Sequence, residues 1–209
     1  MNADGGVGLP EWLDVSRETH GRLCDLLATV TRWNPAINLV SQGSLSGAWK
    51  RHVLDSAQLF ELGPRDATFW ADFGSGGGFP GLVLAVIAAE KAPRLRIVLV
   101  ESDRRKATFL EQASRGLGLE VQVICQRMEA LDPLLADVVT ARAVAPLHVL
   151  CGYAHRHLKP LGQAIFPKGS RSGAELALAR GSWQIDCKTI QSRTDAAGAI
   201  LLVRNIRHV

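Results

Sequence analysis

The chain has 209 residues, is 47% hydrophobic and carries a net charge of +4. That length suits one domain with a short appendage and excludes two full domains. No apolar run approaches the ~20 residues of a membrane span, and the start, Met1-Asn-Ala-Asp-Gly-Gly, lacks the regions of a signal peptide; a cytoplasmic protein that meets no membrane is expected.

The charge is unevenly spread. Residues 1–66 hold six Lys/Arg against eight Asp/Glu, a balance of −2, which leaves eighteen against twelve, or +6, for residues 67–209. A basic surface beside a pocket suits a polyanion such as RNA. Cys24, Cys125, Cys151 and Cys187 form no C-x-x-C pair, so neither a metal site nor a disulfide framework is expected, and each should be a reduced, packed thiol.

Residues 1–8, small and Gly-rich, predict disorder. Residues 9–66 predict a helical appendage. Its first helix spans 9–33, with Pro10 and Glu11 in the opening turn and Trp12, Leu23, Leu26, Leu27, Val30 and Trp33 as the apolar stripe; Asn34-Pro35 should break it. A second helix starts near Ser44 or Ser46, turns Leu45, Trp49 and Val53 inward and stops at Gly63-Pro64. His52, Asp55 and Ser56 share one face of it, next to Arg51.

From residue 67 the pattern alternates. Strands at 68–73, 96–101, 121–125, 137–141 and 162–166 are separated by helices at 82–91, 104–116 and 145–158, which predicts a parallel sheet covered on both faces. Segments at 183–190 and 199–203, joined by a polar loop, add an antiparallel hairpin. The expected fold class is α/β, Rossmann-like, with a mostly parallel seven-stranded sheet.

The first strand ends in Asp72 and feeds the turn Gly74-Ser-Gly76-Gly77-Gly78-Phe79-Pro80-Gly81. Residues 76–81 satisfy G-x-G-x-x-G, so dinucleotide binding is one candidate. Against it, Asp72 would face an incoming pyrophosphate, and Pro80, expected in the first helical turn, removes an N–H that a phosphate needs. S-adenosylmethionine, cationic and free of phosphate, suits this turn better. Glu101 closes the second strand, placed to accept from two ribose hydroxyls. Met128 and Glu129 lie just past the third strand, where an adenine would be held, and Arg142 just past the fourth could grip a carboxylate or phosphate. Phe79 could pack on the ligand or in the core. Arg104, Arg105 and Lys106 open a helix where cations oppose the dipole, a cost that phosphate contacts would justify.

Asn38-Leu39, Arg51-His52-Val-Leu-Asp55-Ser56, the glycine turn, Glu101 with Arg105-Lys106-Ala-Thr-Phe109-Leu110, Arg127-Met128-Glu129, Ala141-Arg142-Ala143 and Lys168-Gly169 occur in a fixed order. From about residue 30 to 170 the chain thereby resembles the bacterial small-subunit rRNA methyltransferase G family, also called glucose-inhibited division protein B. The resemblance implies a class I, S-adenosylmethionine-dependent fold. It implies methylation of N7 of a guanine in 16S rRNA of the 30S subunit, near the decoding region. It places cofactor contacts at Gly74, Phe79, Met128, Glu129 and Arg142; the reading of the turn and strand ends adds Asp72, Gly76, Gly78 and Glu101. Met128 departs from the family, which usually has a small residue there. Arg51, His52, Asp55 and Ser56 are candidates for meeting RNA or closing over the cofactor pocket, Arg104, Arg105, Lys106 and Lys168 are further candidates for meeting RNA, and a monomer without metal is expected. The tail beyond residue 185 carries nothing over.

Guanine N7 holds an in-plane lone pair, so no general base is expected. After the fourth strand the chain reads Ala141-Arg-Ala-Val-Ala-Pro146, without the acidic-Pro-Pro-aromatic motif of exocyclic amino methylation, and no Pro-Cys nucleophile is present. Two other readings share the fold: a methyltransferase for a small molecule or protein, and a non-catalytic RNA-binding assembly factor.

Overall fold

The computed structural model describes residues 9–209; the expectation for residues 1–8 lies outside them. Seven strands form one sheet in the order β3-β2-β1-β4-β5-β7-β6. The central strand β1 (Phe69–Phe73) is buried along its whole length and pairs in parallel with β2 (Arg96–Val100) and β4 (Ala136–Ala141). Such strands read as continuous apolar runs because helices cover both faces. β3 (Val121–Ile124) extends one side and β5 (Leu158–Lys168) the other. β6 (Trp183–Gln191) and β7 (Ala199–His208) form the expected hairpin, with β7 antiparallel to β5.

The direction of strand order reverses between β1 and β4, so a crevice opens at their C-terminal ends, where open α/β sheets bind ligands. One core layer, including Leu23, Leu26, Val30, Leu84 and Phe109, lies between the sheet and α1 (Arg17–Ile37), α4 (Gly81–Lys91) and α5 (Arg104–Gly116). The other packs Phe73, Leu150, Cys151 and Phe166 under α6 (Leu147–His157).

The N-terminal region departs from the sequence expectation in three ways. Pro10 and Glu11 sit in a turn, and α1 starts only after Ser16, whose hydroxyl accepts from Thr19 N–H at 3.1 Å. The helix then runs through Asn34-Pro35. Proline removes one N–H, but Asn38 N–H closes the last turn on Asn34 O at 2.9 Å, and buried Asn34 accepts Val40 N–H at 2.8 Å. The second helix is broken: α2 (Gln42–Leu45), a π-helical turn (Trp49–Leu54), α3 (Asp55–Ala57) and a 3₁₀ turn (Phe60–Leu62) follow one another. π turns concentrate at functional sites.

The sequence pattern does not anticipate α7 (Ser172–Ala179), only one of whose residues is buried. Cys24 and Cys125 are exposed and Cys151 is buried, so the expectation of four packed thiols fails for the first two. Among the described residues there is no metal-ligating cluster and no helix long and apolar enough to cross a membrane.

Candidate active site

The glycine turn leaves β1 under tight backbone control. Gly74 and Ser75 N–H groups donate to Val100 O at 2.8 and 3.2 Å, tying the turn to the end of β2. Gly74, Gly76 and Gly78 have φ of +62°, +51° and +86°, which only glycine adopts freely. Their surroundings differ. A Cβ on Gly78 would lie 2.6 Å from Leu82, and one on Gly81 would run into Leu99, whereas one on Gly76 would meet nothing closer than Gly74 O at 3.7 Å. Gly76 therefore keeps open a space outside the protein's own packing. Pro80 occupies the N-cap of α4, one residue before the expected first turn.

Glu101 is 7% exposed and reaches into this turn. Its Oε2 accepts Gly76 N–H at 2.9 Å and its Oε1 accepts Asp103 N–H at 2.8 Å. Each carboxylate oxygen keeps a further lone pair, so the group can still accept from a vicinal diol.

Asp72 behaves otherwise. Instead of facing a ligand it is fully buried, accepting Thr140 Oγ1–H at 2.7 Å and Gly81 N–H at 3.1 Å, while Thr140 accepts from Trp70 Nε1 at 3.1 Å. Burial pushes its carboxyl up to about 6 despite these donors. Its work is to anchor the start of α4 beneath the turn. Phe79 is likewise buried, its ring stacked on His52 with centroids 5.0 Å apart.

His52, Asp55, Phe79 and Arg142, separate in sequence, converge. Arg142 donates to Arg51 O at 3.0 Å and to His52 Nδ1 at 3.1 Å, and its Nη1 lies 3.5 Å from Asp55 Oδ2. Because arginine only donates, His52 Nδ1 must accept; its Nε2–H then donates to Ser44 Oγ at 2.9 Å, and Ser44 passes its own proton to Ser41 O at 2.7 Å. Burial, then the charges of Arg142 and Arg51, lower the imidazole to about 4. His52 is thus a buried, neutral spacer and no general base at neutral pH. Ser56 is also buried, donating to His52 O, so neither reaches solvent as a nucleic-acid contact would.

The remaining sequence candidates divide. Glu129 is exposed and accepts Tyr153 O–H at 2.6 Å, which holds the carboxyl below its usual range and lifts the phenol to about 12. Met128 begins a 3₁₀ turn (Met128–Ala130), and its carbonyl accepts from His157 Nε2 at 3.0 Å, so that carbonyl is already held from below. Arg105 spends its guanidinium on Ala36 O, at the end of α1. Lys168 donates to Ala145 O at 3.0 Å and Glu175 at 2.8 Å with its side chain 9% exposed, a strut in place of a free phosphate ligand. Arg104 is exposed and Lys106 half-buried. Asp103 caps α5 through Arg105 and Lys106 N–H groups, which offsets the cationic start.

Beside Arg142 a cleft of about 740 Å³ opens between the ends of β4 and β5, α7 and the loop of the β6–β7 hairpin. Asp55, Arg142, Pro167, Lys168, Glu175 and Asp195 are among its lining. The α7 and hairpin contributions were not legible as site residues, because neither segment carries a motif.

Comparison with known proteins agrees with this geometry. The family model described as rRNA small subunit methyltransferase G matches residues 19–201. A protein of Cereibacter sphaeroides named ribosomal RNA small subunit methyltransferase G is 50% identical over 199 residues, spanning 95% of this chain and 96% of its own. One of the same name from Ruegeria pomeroyi is 46% identical over 197 residues, spanning 94% and 96%. Among solved structures, a SAM-dependent methyltransferase of Aquifex aeolicus superposes with a TM-score of 0.57 at 10% identity, covering 85% of this chain and 96% of its own. A ribosomal protein L11 methylase of Lactobacillus delbrueckii gives 0.55 at 20%, covering 71% and 76%. These two share the fold; the sequence relatives and the family model carry more. With a match spanning almost the whole described chain, the protein belongs to the rRNA small subunit methyltransferase G family.

Proposed function

We propose that this protein transfers the methyl group of S-adenosylmethionine to N7 of a guanine in 16S rRNA, acting as a monomer on the 30S subunit. Membership of the family carries the methyltransferase activity and the RNA substrate. The observation that carries the cofactor reading is the open space at Gly76 beside the Glu101 carboxylate. The residues fit the cofactor: Glu101 would accept from the ribose, Gly74 to Gly78 would let backbone approach it, and the turn at Met128 would border the adenine. S-adenosylmethionine supplies an electrophilic methyl on a sulfonium.

The chain's own residues supply alignment and dryness. Arg142, fixed by three acceptors, presents its guanidinium to the cleft, where it would hold a phosphate or the target base. His52 stays neutral and satisfied, so it takes no proton. N7 brings its own lone pair, so the transfer needs no general base.

Transfer of labelled methyl from S-adenosylmethionine to 30S subunits, naked 16S rRNA and total protein tests the reading. Label in the rRNA of 30S subunits is expected; label confined to protein, or none in any of the three, overturns it.

A further inference from the structure

The hairpin loop joining β6 to β7 closes on the active site through a continuous set of hydrogen bonds. Thr194 Oγ1–H donates to Asp55 Oδ1 at 2.7 Å, and Gln58 Nε2 donates to the same oxygen at 2.9 Å. Gln58 is 3% exposed, and its amide is oriented by Arg193 N–H, which donates into Oε1 at 2.8 Å. The same Nε2 lies 3.1 Å from Ser192 Oγ, and Ser192 accepts the N–H groups of Thr194 and Asp195 at 3.2 and 3.3 Å, folding the loop tip around the amide.

Both donors therefore hold Oδ1 of Asp55 and leave Oδ2 for Arg142, 3.5 Å away. Every acceptor of the Arg142 guanidinium, Arg51 O, His52 Nδ1 and Asp55, lies within one turn of chain. That turn is fastened from outside by the loop.

We propose that Thr194 and Gln58 are positioning residues for methyl transfer, acting through Asp55 to set the angle at which Arg142 enters the acceptor cleft. This rests on the substrate reading above. Loss of the Thr194 hydroxyl frees Asp55 to rotate, and Arg142 loses one of three fixed partners.

Thr194→Val removes the donor at nearly constant shape, Thr194→Ser keeps it, and Arg193→Ala is the control, because that side chain points away to Glu61 and Trp12. With 30S subunits lacking the methyl group, Thr194→Val should lower kcat/KM about tenfold, the scale of one hydrogen bond to a charged group. Thr194→Ser and Arg193→Ala should stay within about twofold of the parent. In an Asp55→Asn background Thr194→Val should add no further loss. NMR of the Arg142 guanidinium, which needs no substrate, should show a held group in the parent and a mobile one in Thr194→Val. An unchanged kcat/KM, failure of serine to rescue, or full additivity with Asp55→Asn would overturn the proposal. Should the parent itself fail to methylate 30S subunits, the substrate reading falls. An unaltered Arg142 signal in Thr194→Val then overturns the positioning role independently.

Discussion

At the scale of single residues, the glycine turn separates packing from ligand space. Gly76→Ala places its methyl in open space at a strain of about 1–2 kcal/mol, so the variant should fold and lose S-adenosylmethionine binding. Gly81→Ala drives a methyl against Leu99 and Asp72, and should lose the fold itself. Circular dichroism with calorimetric titration distinguishes the two; a Gly76→Ala protein that binds normally would move the cofactor elsewhere. Glu101→Gln offers one acceptor where two backbone N–H groups and a diol want a carboxylate, and should weaken the cofactor by about 1–3 kcal/mol. Unchanged titration would remove Glu101 from the pocket.

Two buried titrating groups give opposite signatures. His52, lowered from 6.5 to about 4, stays neutral in the fold while the unfolded chain takes up a proton, so its contribution is lost as pH falls through that window. Asp72, raised from 3.8 to about 6, is protonated first in the fold, so its contribution grows as pH falls from 6 toward 4. Urea unfolding at pH 7 and pH 5 should thus show the stability gap between parent and His52→Gln narrowing in acid, and that between parent and Asp72→Asn widening. Gaps moving the same way would contradict the assigned environments.

Among elements, those with strong local periodicity were legible: β1, β2, α4 and α5 fall within a residue or two of the sequence expectation. The segment from α2 to the 3₁₀ turn was not, because its π turn follows from long-range demands: His52 must stack on Phe79 and Asp55 must reach Thr194. The meeting of Gly76 and Glu101 could be read in advance because each follows one of two adjacent parallel strands. Asp72 misled, since a carboxylate at a strand end looks alike whether it faces a ligand or caps a helix from below. Gln58, Ser192 and Thr194 were invisible, being polar residues whose role exists only once 134 positions of chain have been folded together. At the start of α5 the expectation narrows. With Arg105 tied to Ala36 O, phosphate contact falls to Arg104 and Lys106, and replacing both with alanine should reduce the salt slope of RNA binding by about 1 each. An unchanged slope would make them solvated charges only.

On the scale of the whole molecule, the sheet sets the glycine turn and the cleft on either side of one arginine. Arg142 leaves the end of β4 at the reversal of strand order, with the glycine turn toward β1 and the cleft toward β5. The segment around Asp55 and the β6–β7 hairpin loop meet beside it and frame the cleft. At its edge His52 is held neutral by its hydrogen bonds, and alkylation of a ring nitrogen that already bears a lone pair calls for no general base. The direct measurement is mass spectrometry of nucleosides from 16S rRNA after one turnover on 30S subunits with methyl-labelled S-adenosylmethionine. All label should appear as 7-methylguanosine from a single fragment; label on an exocyclic amine, on a pyrimidine carbon or on ribosomal protein would contradict it.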